Sequence, residues 1–205
     1  MNYDELATSE VVEKTIASLK ERNFLPQVVG TKNDVLSLIK SLIPAGASVM
    51  NGASITLEEV GFVDYLKSGS HGWNNLHLAI LAEKDRVKQS ALRKQAVITD
   101  FYLGSVHAVT ETGEMLIASN TGSQLAQLAF TAPNIILVVG AQKIVPTVDE
   151  GFNRIEQYVM PLEDKRLMER SNAHTTHAKT LILHRENSRI GRKVHVIVVN
   201  EKLGF

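Results

Sequence analysis

No cysteine occurs among the 205 residues. Disulfides, a thiolate nucleophile and any zinc or iron–sulfur site built on thiolates are therefore excluded, and redox chemistry would have to come from a borrowed cofactor or a partner. A surplus of one charge is missing too, since 22 basic residues face 22 acidic ones. A chain that grips a polyanionic backbone or an acidic membrane carries such a surplus, so neither nucleic acid nor membrane is an expected partner. Long apolar runs are also lacking. The run Ile135 to Val139 is far too short to span a bilayer, and Met1-Asn-Tyr-Asp-Glu-Leu6 has neither the basic nor the apolar region of a secretory signal. A cytoplasmic location is expected.

Several catalytic signatures are absent. No G-x-G-x-x-G follows a strand-like run, no G-x-x-x-x-G-K-[ST] is present for a nucleotide phosphate, and no G-x-S-x-G marks a nucleophile elbow. Internal repeats, low-complexity segments and linkers are missing as well, so residues 1–205 read as one domain, within the usual prior of about 100 to 200 residues.

What is present is an alternation of strands and amphipathic helices. Val12, Ile16 and Leu19 recur at helical spacing after a Thr8-Ser9 cap, and Val35, Ile39 and Leu42 do the same between Thr31 and Pro44. Short apolar runs at 26–30, 47–50, 97–99, 106–110, 114–118 and 134–139 read as strands. Thr56-Leu-Glu-Glu59 and Thr147-Val-Asp-Glu150 have capping-box spacing, and the second opens a helix with Val148, Phe152, Ile155 and Val159 on its buried stripe, ended by Pro161. Residues 69–75, with the single tryptophan, read as an exposed loop, and Glu83 to Gln95 as a solvated helix. The runs Thr180 to His184 and Val194 to Val199, separated by a polar loop, suggest a C-terminal β-hairpin. The expected class is α/β, a three-layer, mostly parallel Rossmann-like sheet with helices on both faces.

Open sheets of this kind bind ligands at the carboxyl ends of their strands. Two loops of small and hydroxylated residues fit such positions: Asn51-Gly52-Ala53-Ser54, with Thr56 behind it, and Asn120-Thr121-Gly122-Ser123; ordinary turns with helix caps are the competing reading. Thr110-Glu111-Thr112-Gly113 sets a carboxylate between hydroxyls at a strand end, which makes Glu111 the candidate catalytic group, as general base or acyl acceptor; an ordinary turn is the competing reading. Gly104 and Lys143 complete the candidate ligand-binding set, Lys143 as a partner for a carboxylate or phosphate, with an ordinary surface lysine as the competing reading. His71 and His107 are placed to face a pocket, with simple exposure or an internal hydrogen bond as the competing reading. His174 and His177, even with His184, lack the third ligand and glutamate of a metal-binding helix and are read as a polar connector, so no metal site and no intrinsic cofactor are expected.

The order and spacing of Asn51-Gly-Ala-Ser-Ile-Thr-Leu-Glu-Glu59, Thr110-Glu-Thr-Gly113, Ile135 to Gly140 with Lys143-Ile-Val-Pro146, and Val199-Asn-Glu-Lys-Leu-Gly-Phe205 resemble the LUD-domain proteins, relatives of the lactate-utilisation proteins. The resemblance spans nearly the whole chain. It implies the fold shared by glucosamine-phosphate deaminase, ribose-phosphate isomerase, CoA transferases and formyltetrahydrofolate cyclo-ligase, whose strand-end loops hold phosphate, carboxylate or CoA groups. It also implies a role in lactate or organic-acid utilisation through binding of a small anionic metabolite. Alternatives are a CoA transferase-like or cyclo-ligase-like enzyme using Glu111, and a non-catalytic subunit docking an iron–sulfur redox partner. Catalysis, substrate and homo-oligomer formation are left open by the sequence.

Overall fold

The structure is a computed structural model that describes all 205 residues. Its centre is a six-stranded sheet in the order β1-β10-β7-β4-β2-β3, formed by β1 (Leu25–Val29), β2 (Ser48–Asn51), β3 (Asn74–Asn75), β4 (Phe101–Gly104), β7 (Asn134–Gly140) and β10 (Lys193–Val199). Every pairing in it is parallel. A second sheet of four strands runs β8-β5-β6-β9, from β5 (Ala108–Thr110), β6 (Met115–Ser119), β8 (Ile144–Val145) and β9 (Lys179–Leu183).

Parallel strands covered on both faces carry continuous apolar runs, because side chains alternate between two cores. In β7, Ile135, Leu137 and Val139 point to a core shared with Val12 and Leu19 of α1 (Ser9–Glu21) and with Val109, Met115 and Ile117 of the small sheet. Ile136 and Val138 point the other way, toward Val35 and Ile39 of α2 (Lys32–Leu42), Leu57 of α3 (Ile55–Glu59), and Phe62 and Leu66 of α4 (Phe62–Ser68). Burying each such side chain contributes about 1.5–3 kcal/mol. The outer face of the small sheet, Ala108, Leu116 and Ala118, packs on Ile155, beyond α7 (Val148–Arg154). Between β3 and β4 lie α5 (Leu76–Ala82) and α6 (Arg86–Gln95), the latter with no buried residue, in keeping with its charged composition. No helix is long and apolar enough to cross a membrane.

Five local expectations differ from the structure. No strand forms at 97–99, which is an irregular turn; the strand begins two residues later, as β4. The last two strands are not a hairpin: β10 lies between β1 and β7 in the large sheet, whereas β9 pairs antiparallel with β6 in the small one. Val194 and Val196 to Val199 are all buried, a burial that a central strand provides and a hairpin would not. Ser54, not Thr56, caps α3, its Oγ accepting from the Leu57 amide; Thr56 is inside the helix and buried. Pro161 does not end the third long helix. The chain passes from α7 through a π-helical turn, Ile155–Val159, into α8 (Met160–Ser171), and the wider turn accommodates a residue that lacks an N–H and would clash in a regular helix interior. Residues 69–75 are not a fully solvated loop, because Trp73 is half-buried, stacks on His71 at 5.2 Å and donates to the Ile43 carbonyl at 3.2 Å.

Candidate functional site

The carboxyl ends of β2, β4 and β7 open into a cavity of about 310 Å³. Strand β2 delivers Gly52, Ala53 and Ser54, with Thr56 on the first turn of α3; β4 delivers Gly104 and Ser105; the 3-10 turn Ala141–Lys143 after β7 delivers Lys143. Residues 117–121, Ser123 and Gln124 form the facing wall, and Glu163, Arg166, Thr175 and Thr176 reach in from α8 and the segment after it. Gly52 is required for close approach: a Cβ there would stand 2.5 Å from the Tyr102 hydroxyl, and Tyr102 also lines the cavity.

Lys143 is 2% exposed and makes no ion pair. Its Nζ donates to Thr56 Oγ1 at 3.0 Å and to Ser105 Oγ at 3.1 Å. Burial, assisted by the positive charge of Arg154, brings its pKa down to about 7, against a smaller opposing effect of Glu59. A buried cation without a carboxylate is costly, so this position favours either an anionic ligand or loss of the proton.

His107 also lines the cavity, and its Nδ1 accepts from the Ala118 amide at 3.0 Å. With Nδ1 occupied, the hydrogen-bond pattern assigns the ring hydrogen to Nε2. Burial, then the charges of Lys143 and Arg154, hold its pKa down at about 3, so the imidazole is neutral. Arg154, fully buried behind this strand, donates to the His107 carbonyl and lies 5.2 Å from the Tyr158 ring. Arg166 is different in kind, because Glu163 accepts from it twice, at 2.7 and 2.6 Å, and offsets its charge.

The candidate residues divide. Gly52, Ala53, Ser54, Thr56, Gly104 and Lys143 come together in the cavity, with Asn120 and Ser123 opposite. Asn51 and Gly122 stand behind the lining. Asn51 donates to the Gly52 carbonyl at 3.0 Å and accepts from His77 Nδ1 at 2.9 Å, while Gly122, at φ +82°, donates to Ser119 Oγ at 2.8 Å. Thr110, Glu111, Thr112 and Gly113 line no part of it. They form the β5–β6 hairpin turn against α1, where Glu111 pairs with Lys14 at 2.8 Å and Glu114 takes hydrogen bonds from Thr110 and Thr112 at 2.5 and 2.6 Å and an ion pair from Arg22. His174 pairs with Asp164 and His177 with Glu156, whereas His71 packs among Tyr65 and Trp73. Thr121 of the 120–123 loop lines the cavity as well, and Ser105, Ser119 and Arg166 line it without being among the sequence candidates. The position of Ser105 beside Gly104 was a usable signal; Arg166 had none, since it depends on the helix continuing past Pro161.

The LUD domain family profile matches residues 12–202. A solved DUF162 family protein from Deinococcus radiodurans is similar over 96% of this chain and 100% of its own, with a TM-score of 0.56 and 15% identity, a likeness of fold. No curated protein matches the chain.

Proposed function

From the premise that this chain belongs to the LUD domain family, which is associated with lactate utilisation, we propose that the cavity at the ends of β2, β4 and β7 binds a small organic anion of that metabolism. One observation carries the reading: Lys143 is buried at the cavity with hydroxyl partners only and no carboxylate in contact, so its ammonium form gains a close countercharge when an anion enters. An anion entering there supplies the missing countercharge, and a charge-assisted contact in a desolvated site contributes about 1.5–3 kcal/mol. Ser54, Thr56, Ser105, Ser119, Thr121 and Ser123 supply short polar side chains, which suits a small, oxygen-rich ligand. Oxidation of such an acid would need an electron acceptor. A chain without cysteine would have to take that capacity from a bound organic cofactor or from a partner that carries iron–sulfur clusters.

Calorimetry with lactate, pyruvate, acetate and inorganic phosphate tests the reading. Saturable binding of at least one anion, weakened tenfold or more by Lys143→Met and unchanged by Glu111→Gln, is the expected result. Absence of heat and of thermal stabilisation at millimolar concentration for all four would remove the reading.

A further inference from the structure

Both partners of Lys143 Nζ are oxygens whose own hydrogens are committed elsewhere. Thr56 Oγ1 donates to the Leu203 carbonyl at 3.2 Å, and Ser105 Oγ donates to the Val106 carbonyl at 3.3 Å. Each hydroxyl therefore meets Nζ as an acceptor, at 3.0 and 3.1 Å. An ammonium has three N–H donors, so two acceptors leave one of them unmatched in a buried site. A neutral amine has two N–H groups, both satisfied here, and a lone pair as its remaining direction. The hydroxyl pair thus matches the free amine. Space beside it is preserved by Gly204, which also lines the cavity: a Cβ at that residue would come within 3.4 Å of Nζ and 2.5 Å of Thr56 Oγ1.

We propose that Lys143 is a nucleophile that condenses with the carbonyl group of a small anionic carbonyl compound, an inference that rests on the cavity being an anion site. Burial and the Arg154 charge act in the same direction, since they lower its pKa to about 7 and so leave a substantial unprotonated fraction at neutral pH. In the first step the Nζ lone pair forms a bond to the carbonyl carbon, and the π electrons move to oxygen. That oxygen takes a proton from nitrogen, with Ser105 or Thr56 as relay, to give a carbinolamine. The C–O bond then breaks, oxygen leaves as water after taking a second proton from solvent, and the nitrogen lone pair closes the C=N bond. Amine, carbonyl and one proton become a protonated imine and water, with no oxidation or reduction. The imine's positive charge then sits beside the anionic group of the same ligand, which compensates it in a low-dielectric cavity.

Borohydride trapping tests this on the intact chain. Pyruvate and dihydroxyacetone phosphate serve as probes with a carboxylate and a phosphate head group, and lactate, which has no carbonyl, is the control. The expected result is a reduced adduct, one per chain, with at least one of the two carbonyl probes, mapped by peptide mass spectrometry to Lys143 and absent with lactate. Lys143→Met should abolish it. Mapping on the unmodified sequence keeps the test valid even if that variant folds poorly, because an adduct spread over surface lysines overturns the proposal. Calorimetric binding of pyruvate or the phosphate without any reducible adduct overturns the condensation and leaves the anion site standing. If neither probe binds or traps, the condensation fails too, and lactate, acetate and inorganic phosphate binding then decides whether the anion site fails with it.

Discussion

Lys143 after β7 and Glu111 after β5 are both charged side chains at strand ends, and their surroundings treat them in opposite ways. Glu111 retains water contact and takes Lys14, whose side chain is 60% exposed, as its partner at 2.8 Å. Lys143 is buried beside a cavity and has hydroxyls alone. A solvated pair satisfies itself, and its net contribution is about 0–1 kcal/mol. A buried cation without a countercharge leaves an electrostatic demand that a ligand can meet. Strand-end position is common to both, so desolvation is the difference on which the proposed role of Lys143 rests.

The largest break in this comparison is expected at Lys143. Its pKa is near 7 in the folded chain and 10.5 when free, so between those values the unfolded chain binds a proton that the folded chain does not. Stability from this group is therefore present in full above the free value, and is lost as pH falls to about 7. Across that window it should climb with pH by at most about 1.4 kcal/mol per pH unit. Lys143→Met should flatten the climb. Urea midpoints at pH 7, 8, 9 and 10 measure it, and parallel curves for the two chains would show that Lys143 is not desolvated as described.

His107 gives the next effect, with the window displaced toward acid. Its folded pKa is about 3 against 6.5 when free, so its contribution is present above 6.5 and lost as pH falls through the range to 3. His107→Leu should remove that part of the acid sensitivity. At pH 7 it should cost about 1–3 kcal/mol, because the Ala118 amide loses its acceptor. A variant as stable as the parent at pH 7 would mean that another acceptor replaces the ring. Gly204→Ala should be milder, about 1–2 kcal/mol for a side chain forced into φ +57°, yet it should slow trapping by borohydride because its Cβ pushes on Thr56 Oγ1. Equal trapping rates would separate that hydroxyl from the reactivity of Lys143.

Much of the architecture was legible because its signals are local and periodic. Val12 and Leu19 of α1, Val35 and Ile39 of α2, and the unbroken apolar run of β7 each state which faces are covered. The loops 51–54 and 120–123 also stood out, since small and hydroxylated residues follow strands there. Lys143 was legible as a candidate partner for an anion but not as a buried one; its burial depends on contacts from β4 and α3, far apart in sequence. The destination of β10 was illegible for a related reason, because two adjacent strands with a polar connection look the same whether they pair with each other or join different sheets. Pro161 misled because a π-helical turn, which relieves the ring, leaves no mark in the apolar spacing.

Glu111→Gln is the smallest expected change and the sharpest control. The substitution removes the charge that faces Lys14 but keeps the shape, and the Glu111 amide still donates to the Val145 carbonyl at 2.8 Å. With the lysine 60% exposed and the carboxylate 21%, the pair supports a change of about 1 kcal/mol or less. The turn itself should persist, since Gly113 donates to the Thr110 carbonyl at 2.9 Å and Glu114 holds both threonine hydroxyls. Denaturation midpoint, pyruvate affinity and trapping yield should therefore all match the parent. A tenfold loss of binding or trapping in a folded Glu111→Gln chain would move the proposed site from the ends of β4 and β7 to the β5–β6 turn, and Lys14, the partner left without its countercharge, would become the next residue to test.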